Sequence, residues 1–220
     1  MSARTTSLYD RNCRRCPRLA AYLEQCRARY PGYWCRPVPS FGDERPRIVL
    51  IGLAPGLHGA NRTARPFTGD FAGILLYQTL YRLGLATRRE SVANDDGLKL
   101  RGVRIVNAVK CAPPANKPLP EEIRRCNAYL QAELARLTST RVLVALGRIG
   151  HDAALLALGL KRAAFPFGHG REHVLGGALT LIDSYHCSRY NTQTGRLTER
   201  MFGQVLERAV ELAKATPARP

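Results

Sequence analysis

The sequence predicts an α/β fold in which a parallel sheet is covered by helices on both faces. Two observations carry this. Short, branched, apolar runs at 47–53, 103–110, 141–146 and 178–184 read as strands buried on both sides. Segments with helical apolar spacing lie near 71–83, 121–137, 150–158 and 199–214, and strands alternating with helices imply parallel pairing. The ligand site of such a sheet lies beyond the carboxyl ends of its strands. Four loops reach that edge: 52–70, 111–120, 147–150 and 185–198.

The first of these loops carries the most chemistry. It runs Gly52-Leu53-Ala54-Pro55-Gly56 and continues as Gly59-Ala-Asn-Arg-Thr-Ala-Arg-Pro-Phe-Thr-Gly-Asp70 before an apolar helical segment. A strand, a glycine-rich loop and a helix start put backbone N–H groups where anions bind. The glycines let the backbone turn sharply and approach a ligand. Arg62 and Arg65 add charge suited to phosphate, and Phe67 adds a flat stacking surface. The loop therefore suits a phosphate beside a planar ring, although a tight turn without a ligand has the same spacing. It lacks the Gly-Lys-Ser/Thr ending of a Walker loop and the G-x-G-x-x-G of a dinucleotide fold.

A chain of 220 residues supports one well-packed domain, 1–220, with residues 1–40 as a Cys- and Arg-rich extension holding a short helix near 18–29. Lys and Arg number 34 against 17 acids, a net charge of +17, which favours a polyanionic partner. An arginine-rich genome explains part of this excess but not the shortage of acids. No apolar run reaches membrane-spanning length, and the first six residues lack a signal peptide's apolar core. A cytoplasmic location with reduced thiols is expected, and residues 216–220 read as a frayed tail.

Seven cysteines in that compartment point to metal or chemistry. Cys13 and Cys16 form a C-x2-C pair, and Cys111 and Cys126 follow later. Four thiolates in this pattern suit an iron–sulfur cluster or zinc, and spacing does not choose between them. Cys126 also falls on the apolar stripe Ile123, Leu130, Leu134 and Leu137, where a free core cysteine is ordinary. Cys26 and Cys35 compete as local zinc ligands. Cys187 adjoins His186, but neighbours on extended backbone point in opposite directions, which disfavours a nucleophile pair.

These segments resemble a known family. Gly52-Leu-Ala-Pro-Gly56, the run from Gly59 to Asp70, Asn107-Ala-Val-Lys-Cys111, Pro113-Pro-Ala-Asn116 and Tyr185-His-Cys-Ser-Arg-Tyr-Asn-Thr-Gln-Thr-Gly-Arg-Leu-Thr198 look like the family 5 uracil-DNA glycosylases. The resemblance covers roughly residues 10 to 200. It implies a three-layer α/β/α fold around a four-stranded parallel sheet, and a [4Fe-4S] cluster held by Cys13, Cys16, Cys111 and Cys126. It implies excision of uracil, hypoxanthine and other deaminated bases from double-stranded DNA, by a monomer without membrane contact. Family 4 enzymes carry an acid where this chain has Leu53, which leaves the water-activating group open.

The resemblance also assigns roles. Gly52, Ala54, Phe67 and Asn107 would hold the flipped base, the ring of Phe67 by stacking and the amide of Asn107 along the base edge. Asp70, a natural helix N-cap, would also polarise water or stabilise the sugar cation. Asn116 would orient water or bind the base. His186 would stabilise charge on the departing base oxygen, while His151, His169 and His173 are read as structural. Arg62, Arg65 and Ser188 would bind DNA, with Arg189, Tyr190 or Asn191 as a wedge in the vacated stack. A non-catalytic, metal-holding DNA-binding protein and a small-molecule hydrolase are the rival classes. The second is disfavoured by the +17 charge and by the lack of a carboxylate pair in the site loops.

Overall fold

The computed structural model describes residues 9–215; the expectations for residues 1–6 and 216–220 lie outside them. Six strands form one sheet: β1 (Phe41–Gly42), β2 (Ile48–Gly52), β3 (Val103–Asn107), β4 (Val142–Leu146), β5 (Glu172–Val174) and β6 (Thr180–Ser184). Their order is β1-β3-β2-β4-β6-β5. The four expected strands make the parallel centre. The sheet is larger than expected, because β1 and β5 add antiparallel edges. With two and three residues, these edges are too short to show a period in sequence. The strand from Val103 stops at Asn107, so Cys111 lies in the loop beyond it.

Alternation along the central strands divides the core. Ile48, Leu50, Val103, Ile105, Val142, Val144 and Ile182 face α3 (Phe71–Arg82) and α7 (Glu199–Lys214), meeting Leu76, Tyr77, Leu80, Phe202 and Leu206. Val49, Ile51, Val106, Leu143, Ala145 and Leu181 face α4 (Pro120–Arg136) and α5 (Arg148–Ala157), meeting Leu130, Ala153, Ala154 and Leu155. Each large apolar side chain buried this way contributes about 1.5–3 kcal/mol. A side chain at Gly150 would collide with the Ile51 carbonyl, so glycine lets α5 lie close on the sheet. The result is three layers, helix–sheet–helix. The N-terminal helix α1 (Pro17–Arg29) joins through Leu19, which packs with Val109 and Cys126. Two short helices, α2 (Ala60–Thr63) and α6 (Arg189–Gln193), sit inside segments read from sequence as loops.

Candidate active site

The carboxyl ends of the central strands open into a cleft lined by Leu53, Ala54, Gly56, Phe67, Asp70, Asn107, Asn116, His186, Ser188 and Arg189. Gly52 pairs with Asn107 across β2 and β3. A Cβ on Gly52 would fall 2.6 Å from Asn107 Oδ1 and 2.7 Å from Phe67 Cζ, so glycine is what lets that ring and that amide meet. The buried Asn107 Oδ1 has no hydrogen-bond partner, and an unmade bond of this kind is costly unless a ligand completes it. Phe67 has φ +54, a strained setting for an aromatic residue. Its neighbours are pinned: Tyr77 Oη donates to the Pro66 carbonyl at 2.8 Å, and Arg65 Nε donates to Thr68 Oγ1 at 3.0 Å. The His186 ring lies 5.9 Å from the Phe67 ring at 28°.

Asp70 caps α3, its Oδ1 accepting from Gly73 N at 3.0 Å. Its Oδ2 packs over Gly59, where any Cβ would collide. Burial raises its pKa above the usual 3.8, against the opposing pull of the Gly73 and Ala72 amides. His186 is desolvated in the cleft wall, which lowers its pKa to about 4, so the ring is neutral at pH 7. Cys187 is buried in the core, where burial and the nearby Asp70 push its thiol up, which disfavours a thiolate nucleophile. Asn116 stands exposed on the rim with φ +55.

The last loop folds into α6. Ser188 caps it, accepting from Asn191 N at 3.4 Å. The Asn191 Nδ2 donates to the His186 carbonyl at 2.8 Å, so this amide braces the His186 segment. Arg189 lies 5.0 Å over the Phe71 ring, and Tyr190 is 71% exposed. Arg62 is exposed, its Nε donating to the His58 carbonyl at 2.9 Å.

Arg65 corrects the sequence reading: it is 3% exposed and paired with Asp96, with Ser91 Oγ also accepting from it at 2.7 Å. It cannot reach a phosphate, because Asp96 supplies its counter-charge under the loop. Nothing in the sequence singles out Asp96, which lies 31 residues away. Asp96→Ala leaves Arg65 buried and unpaired, and should destabilise the fold by about 3–5 kcal/mol in urea unfolding.

His151, His173 and Asp183 are the one described triad of His, Cys, Asp or Glu side chains with ligand atoms within 4.8 Å of one another. Hydrogen bonds account for it. Asp183 accepts from His151 Nδ1 at 2.7 Å, His173 Nε2 at 3.2 Å and Gly168 N at 3.1 Å, and His151 Nε2 donates to the Phe165 carbonyl at 2.8 Å. Burial pulls the His151 pKa down, but Asp183 and the Phe165 carbonyl outweigh it and the net shift is upward. His169 Nδ1 accepts from Tyr185 N at 3.1 Å. These three histidines tie α5, β5 and the loop before β5 to β6 and Tyr185.

The cysteines sort themselves by position. Cys13, Cys16, Cys111 and Cys126 line one cavity, walled by Leu19, Val109 and Tyr129, and Lys110 N donates to Cys126 Sγ at 3.3 Å. Cys35 lies elsewhere, accepting from Asn61 Nδ2 at 3.5 Å, and Cys26 and Cys35 do not line that cavity. Burial and repulsion from the neighbouring thiols raise the Cys111 thiol. No three of these sulfurs lie within 4.8 Å of one another, whereas thiolates on one tetrahedral zinc sit about 3.8 Å apart.

Residues 39–210 match the model of the uracil DNA glycosylase superfamily. The chain is 53% identical over 206 residues to the type-5 uracil-DNA glycosylase of Thermus thermophilus, covering 91% of this chain and 94% of that protein. It is 45% identical over 202 residues to the type-5 enzyme of Pyrobaculum aerophilum, covering 90% and 88%. A type-4 uracil-DNA glycosylase from the same organism is 31% identical over 182 residues, covering 82% of this chain and 78% of the other. A three-layer sheet with its cleft at the carboxyl edge, and identities of this extent, place the chain in the uracil DNA glycosylase superfamily, among the type-5 enzymes.

Proposed function

We propose that this protein is a DNA repair glycosylase that flips uracil out of double-stranded DNA and hydrolyses its N-glycosidic bond, leaving an abasic site. One observation carries the reading: Phe67, the unpartnered Asn107 amide, Asp70 and neutral His186 converge on one cleft. A glycosidic bond inside the base stack is out of reach, so the nucleotide must rotate into such a cleft. There Phe67 stacks on the base, and Asn107 completes its unmade hydrogen bond on the N–H and C=O edge of uracil. Hypoxanthine presents the same pair of groups, so it belongs to the same substrate class.

As the C1′–N bond breaks, the sugar gains cationic and the base anionic character. Asp70, ionised, faces the first; it polarises the attacking water or stabilises the cation. His186, as a neutral donor, faces the second at the base oxygen. Asn116 on the rim orients the water or the base. Gly52 and Ala54 supply backbone to the base pocket, while Ser188 and the 52–56 amides bind phosphate. Arg62 adds a charge from the rim, and Arg189 with exposed Tyr190 fills the space the base has left.

Cys13, Cys16, Cys111 and Cys126 would hold a [4Fe-4S] cluster, whose wide sulfur cage their spacing suits. When bound it ties the N-terminal extension to the 111–126 segment, and hydrolysis moves no electrons. Purified protein should contain iron and acid-labile sulfide in equal amounts, and Cys126→Ser should lose both; stoichiometric zinc without iron would contradict this. The functional test is chromatographic detection of free base from duplexes carrying one deoxyuridine or one deoxyinosine. Release of uracil supports the reading, and release of neither from folded, metal-loaded protein refutes it. The chain acts on DNA without spanning a membrane through its helices, since no helix among the described residues is long and apolar enough to do so.

A further inference from the structure

A second basic and aromatic surface shares helix α2 with the cleft: Ala60 lines the cleft, and Arg62 and Thr63 line the second surface. Trp34 N donates to the Arg62 carbonyl at 3.2 Å and Cys35 N to the Asn61 carbonyl at 3.1 Å. The N-terminal extension is thereby bonded to the helix whose Ala60 lines the cleft. Beside this join runs a groove walled by Arg11, Tyr33, Trp34, Arg36, Arg62 and Val92.

Among the described residues no carboxylate lines this groove. The Arg11 guanidinium lies 5.3 Å over the Trp34 ring, Arg36 Nη1 donates to Asn12 Oδ1 at 3.2 Å, and Arg62 Nε donates to a backbone carbonyl. All three of these partners are neutral, and no ion pair among the described residues compensates the three positive charges. A row of free guanidinium groups beside aromatic faces suits a phosphodiester backbone, with the rings meeting sugars or bases.

We propose that this groove carries the DNA strand away from the flipped nucleotide, with Arg11 and Arg36 pairing phosphates that flank it. The proposal rests on the glycosylase reading and gives the N-terminal extension a DNA-tracking role separate from its cysteines. Arg11 and Arg36 line no part of the cleft, so their effect should depend on the length of flanking DNA.

The test is equilibrium binding of wild type and the Arg11→Gln/Arg36→Gln variant to a long duplex over a range of salt concentrations. The variant should bind about tenfold more weakly at low salt, and its salt slope should be shallower by about 2, each lost phosphate contact accounting for about 0.9. An Arg11→Lys/Arg36→Lys variant keeps the charge and should restore the slope. Two shortened duplexes, each ending one nucleotide past the uracil on one side, locate the strand: on one of them wild type and variant should bind alike. Equal slopes for wild type and variant on the long duplex would overturn the proposal. If the double variant fails to fold, Arg11→Gln alone, at an exposed residue, should still lower the slope by about 1. Binding to undamaged duplex gives the same readout without catalysis, so absence of base release would refute the glycosylase reading and leave this measurement standing.

Discussion

Asp70→Asn should slow single-turnover base release by about 10²–10⁴-fold in a protein that folds as before. Asparagine is as good an N-cap as aspartate, so the contact to Gly73 N survives and a purely capping role would leave the rate unchanged. What the substitution removes is the charge on Oδ2, the oxygen lying over Gly59. The pH dependence follows from the raised pKa of Asp70. Activity is present above that pKa, where the carboxylate is ionised, and falls as pH drops through it; the variant's residual rate should lack this limb. Stability runs the other way. A carboxyl whose folded pKa exceeds its unfolded value of 3.8 destabilises the fold once pH rises past both. Asp70→Asn should therefore unfold at the same or a higher temperature, which separates a chemical role from a structural one.

His186→Ala should lower the rate by about 10²–10³-fold, the usual effect of removing one donor from a developing anion. Because the His186 pKa lies near 4, the ring stays neutral throughout the range in which enzymes of this kind work. It contributes a hydrogen bond without becoming a charged acid, so wild type should show no pH step near 6.5 from this residue. The ring also flanks Phe67 at 5.9 Å, so the variant should weaken base binding slightly. Nonspecific duplex affinity should be unchanged, since DNA grip comes from the basic rim. An equal loss in duplex binding and in rate would mean that His186 only shapes the loop.

The sequence makes the fold legible where burial is strongest. The central strands are continuous apolar runs because helices cover both faces, and Ile51 or Val144 has no solvent side to mark with a polar neighbour. The edges are illegible for the opposite reason: Phe41–Gly42 and Glu172–Val174 are set by pairing with longer neighbours, not by their own pattern. The site divides similarly. Phe67 and Asp70 lie in the first glycine-rich loop, Asn107 in the second expected strand and His186 in the last loop, and the cleft joins them. Arg65 looked like a phosphate ligand because its partner Asp96 lies in an unpatterned loop. The contact of Asn191 with the His186 carbonyl is not legible in the sequence, because it depends on a backbone bend that composition does not encode. The four cysteines are found by spacing, but only the tertiary fold separates them from Cys26 and Cys35.

The most direct measurement is hot-alkali cleavage of an end-labelled duplex holding one uracil, after incubation with the purified iron-loaded protein, beside an identical duplex holding thymine. Cleavage at the uracil position alone, with free uracil in solution, is the result this account predicts. An intact strand from a folded protein that still binds the duplex would contradict it, and would leave the cleft as a DNA-binding surface without chemistry.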